Sequence, residues 1–386
     1  MLLANKQIAI IGGGPGGLTL ARLLQLKGVA IKVYERDVNR SVRVQGATLD
    51  LHFDSGLKAI EKAGLMEAFK ANYRPGADKG RIIDSQGKIV YDEHTETSAI
   101  GFDSEWFRPE IDRGPLREIL LDALQKDTVV WDSQFLAMQR VDSQWKLEFK
   151  NGTTAFADVV IGADGANSKI RPFVTPIEVS YAGITIVQGN IADSKITVPN
   201  IDQLLKGGKI YVHSDRKFIH ISAKGDGSID FYISCKVDEN WAKNSGIDFS
   251  DRLQVCKWFK EAFLGWDNIW LELFENTSLP LLLRPQYYVP FDQQWEAQPN
   301  ITLLGDAAHL MPPSGEGVNL AMLDALEISE CLTGDEFKTT LAAIAAYEAR
   351  MFKRASTATK EALEMVEWMH ADDAQDKMLQ LLNQTQ

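Results

Sequence analysis

The sequence predicts an α/β fold with two sheets, and three observations predict it. Residues 8 to 36 read as strand, glycine turn, helix and strand. Strand-like runs recur at 181 to 191, 210 to 213, 217 to 222 and 228 to 237, separated by turns such as Lys224-Gly225-Asp226-Gly227. They suggest a separate, largely antiparallel sheet. The chain then returns through the apolar run Ile301-Thr302-Leu303-Leu304 to a second glycine-containing turn and a helix from about Val318.

The elements follow in order. Ile8 to Ile11 is an apolar strand, Gly12 to Gly17 the turn, Leu18 to Lys27 a helix and Ala30 to Tyr34 the second strand. Between residues 80 and 92, Arg81-Ile82-Ile83-Asp84 and Lys88-Ile89-Val90-Tyr91 flank Ser85-Gln86-Gly87, a hairpin signal. Residues 113 to 125 form an amphipathic helix with Leu116, Ile119, Leu120 and Leu124 inward, followed by a short strand near Thr128 to Trp131. The last 35 residues read as helical, with Ala362, Met365, Val366 and Met369 on one face. The expected division is 1–75, 100–175 and 295–350 for a discontinuous first domain, 76–99 and 176–294 for the second, and 351–386 for a C-terminal helix.

The chain has 386 residues, which favours two packed domains over a single core. Apolar residues at 45% and charged residues at 24% fit a globular protein and argue against disorder. A net charge of −12 without a dense basic run argues against nucleic acid as a partner. Cys235, Cys256 and Cys331 lie far apart, so neither a zinc site nor a disulfide framework is suggested, and they read as reduced core residues. No signal-peptide pattern and no run long enough to span a bilayer is evident, so a cytoplasmic monomer without a membrane partner is expected.

Gly12-Gly13-Gly14-Pro15-Gly16-Gly17 satisfies GxGxxG directly after a strand and before a helix. Gly12 permits the tight turn, Gly14 lets backbone approach a pyrophosphate, and Gly17 lets the helix pack on the strand. The helix N-terminus offers free N–H groups and a positive dipole end to phosphates. Glu35 ends the second strand about 20 residues on, where an acid can accept hydrogen bonds from ribose hydroxyls. This is a Rossmann-type dinucleotide site, and by itself it does not choose between NAD and FAD.

Two later segments make that choice. Val159 to Ser168, containing Gly162-Ala163-Asp164-Gly165, resembles the Asp-Gly fingerprint of flavoprotein hydroxylases, and Gly305-Asp306-Ala307-Ala308-His309 resembles their Gly-Asp fingerprint. The chain resembles the single-component FAD-dependent aromatic hydroxylases over essentially its whole length, and within them the tetracycline-inactivating monooxygenases. The narrower likeness rests on Val33-Tyr34-Glu35-Arg36, Gly46 to Leu51, Gly305 to Pro313 and Gly315-Glu316-Gly317-Val318-Asn319.

The glycine motif and the resemblance together imply a set of cofactor contacts, to FAD or the reducing nucleotide: Gly12, Gly14, Pro15, Gly16, Gly17, Glu35, Arg36, Arg43, Asp50, Arg113, Asp164, Gly165, Asp306, Pro313, Gly315, Gly317, Val318 and Asn319. Several have a plainer alternative. Asp306 is either a ligand of the ribityl chain or an ordinary helix N-cap, and Asp164-Gly165 is either a cofactor segment or a strand-ending turn. Arg43 and Asp50 match positions associated with flavin and reducing nucleotide, yet a loop arginine and a strand-edge aspartate are often only surface residues. Arg117, on the same helix face as Arg113, reads equally as a surface charge. His309 reads as packed or capping, and no metal is expected.

The implied activity is a monooxygenase in which NAD(P)H, with NADPH favoured if Arg43 meets a 2′-phosphate, reduces FAD, and O₂ supplies one oxygen atom to an organic substrate. The flavin carries that chemistry, so no catalytic side chain is assigned. Competing readings are another FAD oxidoreductase on the same fold and a flavoprotein that only sequesters a ligand. An aromatic or polycyclic, oxygen-rich substrate is implied. Gln188 matches a residue that grips tetracycline in the relatives, whereas Lys209, His220, Ser222 and Asp230 stand where those have arginine, phenylalanine, asparagine and histidine. Tetracycline itself is therefore expected to be a poor substrate.

Overall fold

The computed structural model describes residues 2–42, 48–95 and 101–384. Arg43 and the Gly46-Ala47 stretch lie outside the described residues. Numbering strands along the chain, a five-stranded parallel sheet runs in the order β17 (Ile301–Leu303), β11 (Val159–Gly162), β1 (Ile8–Ile11), β2 (Ile31–Tyr34) and β7 (Val129–Val130). β1, β11 and β17 are buried at every position, as the faces of a parallel sheet covered on both sides must be. Helix α1 (Pro15–Leu26) follows β1 and begins at Pro15, earlier than the periodicity suggested, because proline at the first helical position is pre-set for the helix and lacks only an N–H that would be orphaned anyway.

A seven-stranded sheet runs in the order β16 (Leu282–Tyr288), β12 (Ser180–Ile191), β15 (Ile229–Lys236), β14 (Lys217–Ala223), β13 (Lys209–Ser214), β4 (Gly80–Ile83) and β5 (Ile89–Asp92). It is antiparallel except where β13 meets β4. A three-stranded antiparallel sheet of β10 (Thr154–Ala157), β9 (Gln144–Phe149) and β8 (Phe135–Val141) precedes β11, and the short pair β3 (Leu49–Asp50) and β6 (Glu110–Ile111) lies apart.

The large sheet has two unlike faces, because side chains alternate along each strand. Val187, Ile219, Ile221, Phe231, Ile233, Ile210 and Val212 form a core with Trp258 and Phe259 of a helix at Arg252–Ala262 and Phe274 of another at Glu272–Asn276. The opposite face is polar. Gln188, Tyr232, His220 and Tyr211 pair in one row across four strands, and Asn190, Asp230, Ser222 and Lys209 in the next. The predicted substrate residues thus share one face and two adjacent rows.

The segment from Gly305 onward carries a helical turn at Asp306–His309, then α2 (Gly317–Thr333) and α3 (Thr340–Met369). α3 starts inside the segment assigned to the first domain and touches both large sheets. Tyr347 Oη donates to the Leu303 carbonyl at 2.8 Å, while at its other end Glu367 pairs with Lys236 at 2.7 Å and Trp368 lies 5.9 Å from the His213 ring. Of the cysteines only Cys331 is fully buried; Cys235 and Cys256 are half-buried, and all three are free thiols.

Candidate functional site

The geometry of the glycine turn follows from its close contacts. Gly12 has φ +113°, and a Cβ there would stand 2.2 Å from the Ala163 carbonyl oxygen. A Cβ on Gly17 would meet the Gly12 carbonyl oxygen at 2.2 Å, whereas one on Gly14 would find open space. Gly14 is the N-cap of α1 and no side chain caps that end, so the first-turn N–H groups remain open to an anion. The Gly13 N–H donates to buried Glu35 Oε2 at 2.6 Å, and Asp37 N–H donates to Oε1 at 3.0 Å, which holds the carboxylate beside the turn. Arg36 is exposed next to it.

Asp306 occupies the first helical position with Gly305 as N-cap, and it caps nothing. Its carboxylate is reached from the cleft yet lies deep beneath surrounding protein, which pushes its pKa up against the opposing charges of His309, Arg113 and Arg171. Among the described residues it accepts no hydrogen bond. The backbone beneath it is pinned: buried Arg171 donates to the carbonyls of Ala307 (2.8 Å) and Asp306 (2.7 Å). The helix-cap alternative therefore fails on geometry.

The Gly315 to Asn319 segment passes between two carboxylates. A Cβ on Gly315 would lie 3.9 Å from Asp50 oxygens, and one on Gly317 3.8 Å from Asp306 Oδ1. Glu316 is the N-cap of α2 without capping by its side chain, so this helix too presents open N–H groups. Pro313 is exposed and Val318 half-buried. Asn319 is fully buried; its amide donates to the carbonyls of Asp50 (3.0 Å) and Gly315 (3.2 Å) and accepts from the His52 N–H (2.8 Å). Its side chain thus clamps the loop to β3, leaving its backbone for a ligand.

Asp50 bonds His52 Nε2 at 2.9 Å, and His52 Nδ1 lies 3.5 Å from Glu316. Burial pushes the Asp50 carboxyl up, but the His52 bond and the charge of Lys209 outweigh it and hold its pKa at about 2. Lys209 is paired with buried Glu110, so the cation that replaces arginine is already balanced within the protein. Asp50, Lys209 and Glu110 border a cavity of about 180 Å³ that Arg108, Tyr211 and Met378 also line.

On the polar sheet face, burial drives the His220 pKa down to about 3 and that of His213 to about 4, so both are neutral imidazoles. His220 lies 4.9 Å from Tyr211 and 6.1 Å from Tyr232, ring to ring. Asp230 is 1% exposed, accepts from Asn190 Nδ2 at 2.8 Å and faces Lys224 at 3.8 Å, so it belongs to a paired cluster. Arg113, exposed at the start of a helix at Arg113–Asp122, sends its charge toward both Asp306 and Asp230. Arg117 is no surface charge: it is 7% exposed and donates to the Arg40 carbonyl (2.7 Å) and Asp37 (3.1 Å). Asp164 spends its carboxylate on its own turn, accepting from Ser168 Oγ (2.6 Å) and Lys169 N–H (2.7 Å), while Gly165 follows at φ +78° with open space. Sequence reasoning missed Tyr211, Tyr232 and Arg284, which only strand pairing brings to this face, and Glu110, which meets Lys209 from β6.

The fold defines a dinucleotide-binding α/β protein, and its groups suit FAD: two open helix N-termini, a glycine turn with room at Gly14, the Glu35 carboxylate held beside that turn and an Asp306 carboxylate that accepts no hydrogen bond among the described residues. A family model described as FAD binding domain matches residues 5–362, so the chain belongs to that family and is an FAD-dependent monooxygenase. Monooxygenase penA of Penicillium thymicola is 26% identical over 377 residues, covering 84% of this chain and 84% of that protein. The structure of Klebsiella pneumoniae HpxO with FAD and uric acid matches with a TM-score of 0.75 at 20% identity, covering 99% and 93% of the two chains. Tetracycline destructase Tet(51) matches with a TM-score of 0.71 at 19% identity, covering 97% and 96%. The two structural likenesses speak to fold alone. No helix among the described residues is long and apolar enough to cross a membrane.

Proposed function

We propose that this monooxygenase uses NAD(P)H and O₂ to hydroxylate an aromatic or polycyclic small molecule lying between the polar face of the large sheet and the Gly315–Gly317 loop. The observation that carries the proposal is that Asp50, 3.9 Å from where a Cβ on Gly315 would stand, lines one cavity with Lys209 and Tyr211 of the polar sheet face, while Asp306, beside Gly317, has an accessible carboxylate that accepts no hydrogen bond among the described residues. Residues 1–75, 100–175 and 295–350 would form the FAD part, and 76–99 with 176–294 the substrate part.

Gly12 to Gly17 and the N-terminus of α1 would take the pyrophosphate, Glu35 the adenosine ribose, Asp306 the ribityl hydroxyls, and the backbone N–H groups opening α2 the negative charge that develops at the ring edge. FAD when bound accepts reducing equivalents and activates O₂ for transfer of one oxygen atom. The protein's share is to hold the substrate and keep water away. The Tyr211, His220 and Tyr232 rings, ranged side by side across three strands, offer an uncharged aromatic surface for a ring system, and α3 covers the neighbouring row through Trp368. Arg113 and Asp306 set opposite charges at the border between the two parts.

The test is a substrate screen for accelerated NADH or NADPH oxidation, followed by mass spectrometry for products heavier by one oxygen. Tetracyclines, simple phenols and anthraquinones are to be compared, with the polycyclic anthraquinones expected to be turned over and tetracycline expected to be poor. Oxidation that no aromatic compound accelerates, with no oxygenated product, would overturn the proposal in favour of a ligand-sequestering flavoprotein.

A further inference from the structure

Gln188, the residue assigned to substrate, spends its side-chain oxygen on the protein. Arg284 Nε donates to Gln188 Oε1 at 2.7 Å, and the Gln188 Nε2 group lies 3.4 Å from Tyr232 Oη. The orientation of the amide follows from chemistry, since an arginine nitrogen can only donate. Gln188 is 7% exposed, whereas Arg284 is open to solvent on β16, paired opposite Ile186 and therefore on the same polar face. Both Nη groups of Arg284 lack a partner among the described residues.

The other cations of this face are balanced. Lys209 is paired with Glu110, Lys224 faces Asp230, and the charge of Arg113 is shared between Asp230 and Asp306. A guanidinium fixed at Nε and open at both Nη groups, one row over from Gln188 and diagonal to the end of the row of uncharged rings, is built to take a planar oxyanion in a two-point contact.

We infer that Arg284, oriented by Gln188, is a specificity-determining residue that selects a substrate bearing a delocalised oxyanion, a carboxylate, phenolate or enolate, on its ring system. This rests on the proposed substrate cleft. Gln188 then acts as a positioning residue and the rings of Tyr232, His220 and Tyr211 as the floor. The neutrality of His220 and His213 leaves Arg284 to supply the discriminating charge.

The experiment is calorimetric binding of anthraquinone-2-carboxylate and its uncharged carboxamide to the FAD-loaded enzyme, which reads affinity without turnover. The wild type is expected to favour the carboxylate by about tenfold or more, as a charge-assisted contact implies. Arg284→Gln is expected to reduce that ratio to about one while leaving FAD content unchanged. Arg216→Gln, which removes an equal charge from an exposed pair with Asp372, is expected to keep the preference. Equal binding of both compounds to the wild type, or a preference that survives Arg284→Gln, overturns the role of Arg284 and leaves the cleft standing. Binding of neither compound overturns the cleft and this inference together.

Discussion

His309 Nε2 lies 2.6 Å from Asp324 Oδ2, with both side chains buried, and this contact organises the turn that carries Asp306. The same Asp324 oxygen accepts the Gly305 N–H at 2.9 Å, and its Oδ1 pairs with Arg354 on α3 at 2.7 Å. One carboxylate therefore ties the Gly-Asp turn to two long helices. The conspicuous histidine is a structural member of that knot.

The pair has a pH signature. Burial pushes the His309 pKa down, but the charge and hydrogen bond of Asp324 outweigh it and raise it; for Asp324, burial pushes up and His309 and Arg354 bring it below the usual range. The raised histidine contributes stability that is full below its unfolded pKa of roughly 6.5 and lost as pH rises through the folded value. Asp324 contributes above roughly pH 4 and loses its contribution as pH falls through its folded value. In urea unfolding, the margin of wild type over His309→Gln should be full below pH ~6.5 and shrink as pH rises through the raised folded value. A margin independent of pH would refute a charged His309. Asp324→Asn should cost about 3–5 kcal/mol, because it strands buried positive charge.

Two glycines of one turn should behave oppositely. Gly17→Ala drives a methyl against the Gly12 carbonyl and should lower the melting temperature of the apoprotein, since that backbone cannot yield without separating α1 from β1. Gly14→Ala meets nothing and should leave apoprotein melting unchanged while weakening FAD retention. Equal loss of stability in both variants would contradict the geometry of the turn.

Asp306→Ala should weaken FAD binding by about tenfold to a hundredfold, the effect of losing charge-assisted hydrogen bonds to a ligand. Because Asp306 caps no helix and accepts no bond among the described residues, apoprotein stability should hold or rise. FAD titration and melting of the same samples decide it; unchanged FAD affinity would remove Asp306 from the site.

Deleting residues 360–386 should lower both melting temperature and substrate-dependent turnover. The deletion uncovers the His213 ring from Trp368 and removes His370 from the Ser234 carbonyl, 3.3 Å away, so the loss falls on the substrate face as well as on packing. A truncated enzyme with unchanged melting and kinetics would refute the bridging role of α3.

The sequence by itself determined the elements whose signals are local. The Gly12 to Gly17 turn between β1 and α1, the hairpin of β4 and β5, and the alternation that separates Ile229, Phe231 and Ile233 from Asp230 and Tyr232 all rest on neighbours a few residues apart. Periodicity and turn chemistry act over that range, so those elements and their order were legible. What only the tertiary structure decided is where each charge ends up. Lys209 and Glu110 are remote in sequence and meet only because the fold brings β6 to β13; Arg284 reaches Gln188 because β16 pairs with β12; among the described residues the Asp306 carboxylate accepts no hydrogen bond, while Arg171 takes its backbone carbonyl and Asp324 takes Gly305 and His309. Charge and hydrogen-bond pairing depend on distance in space, and strand register sets that distance.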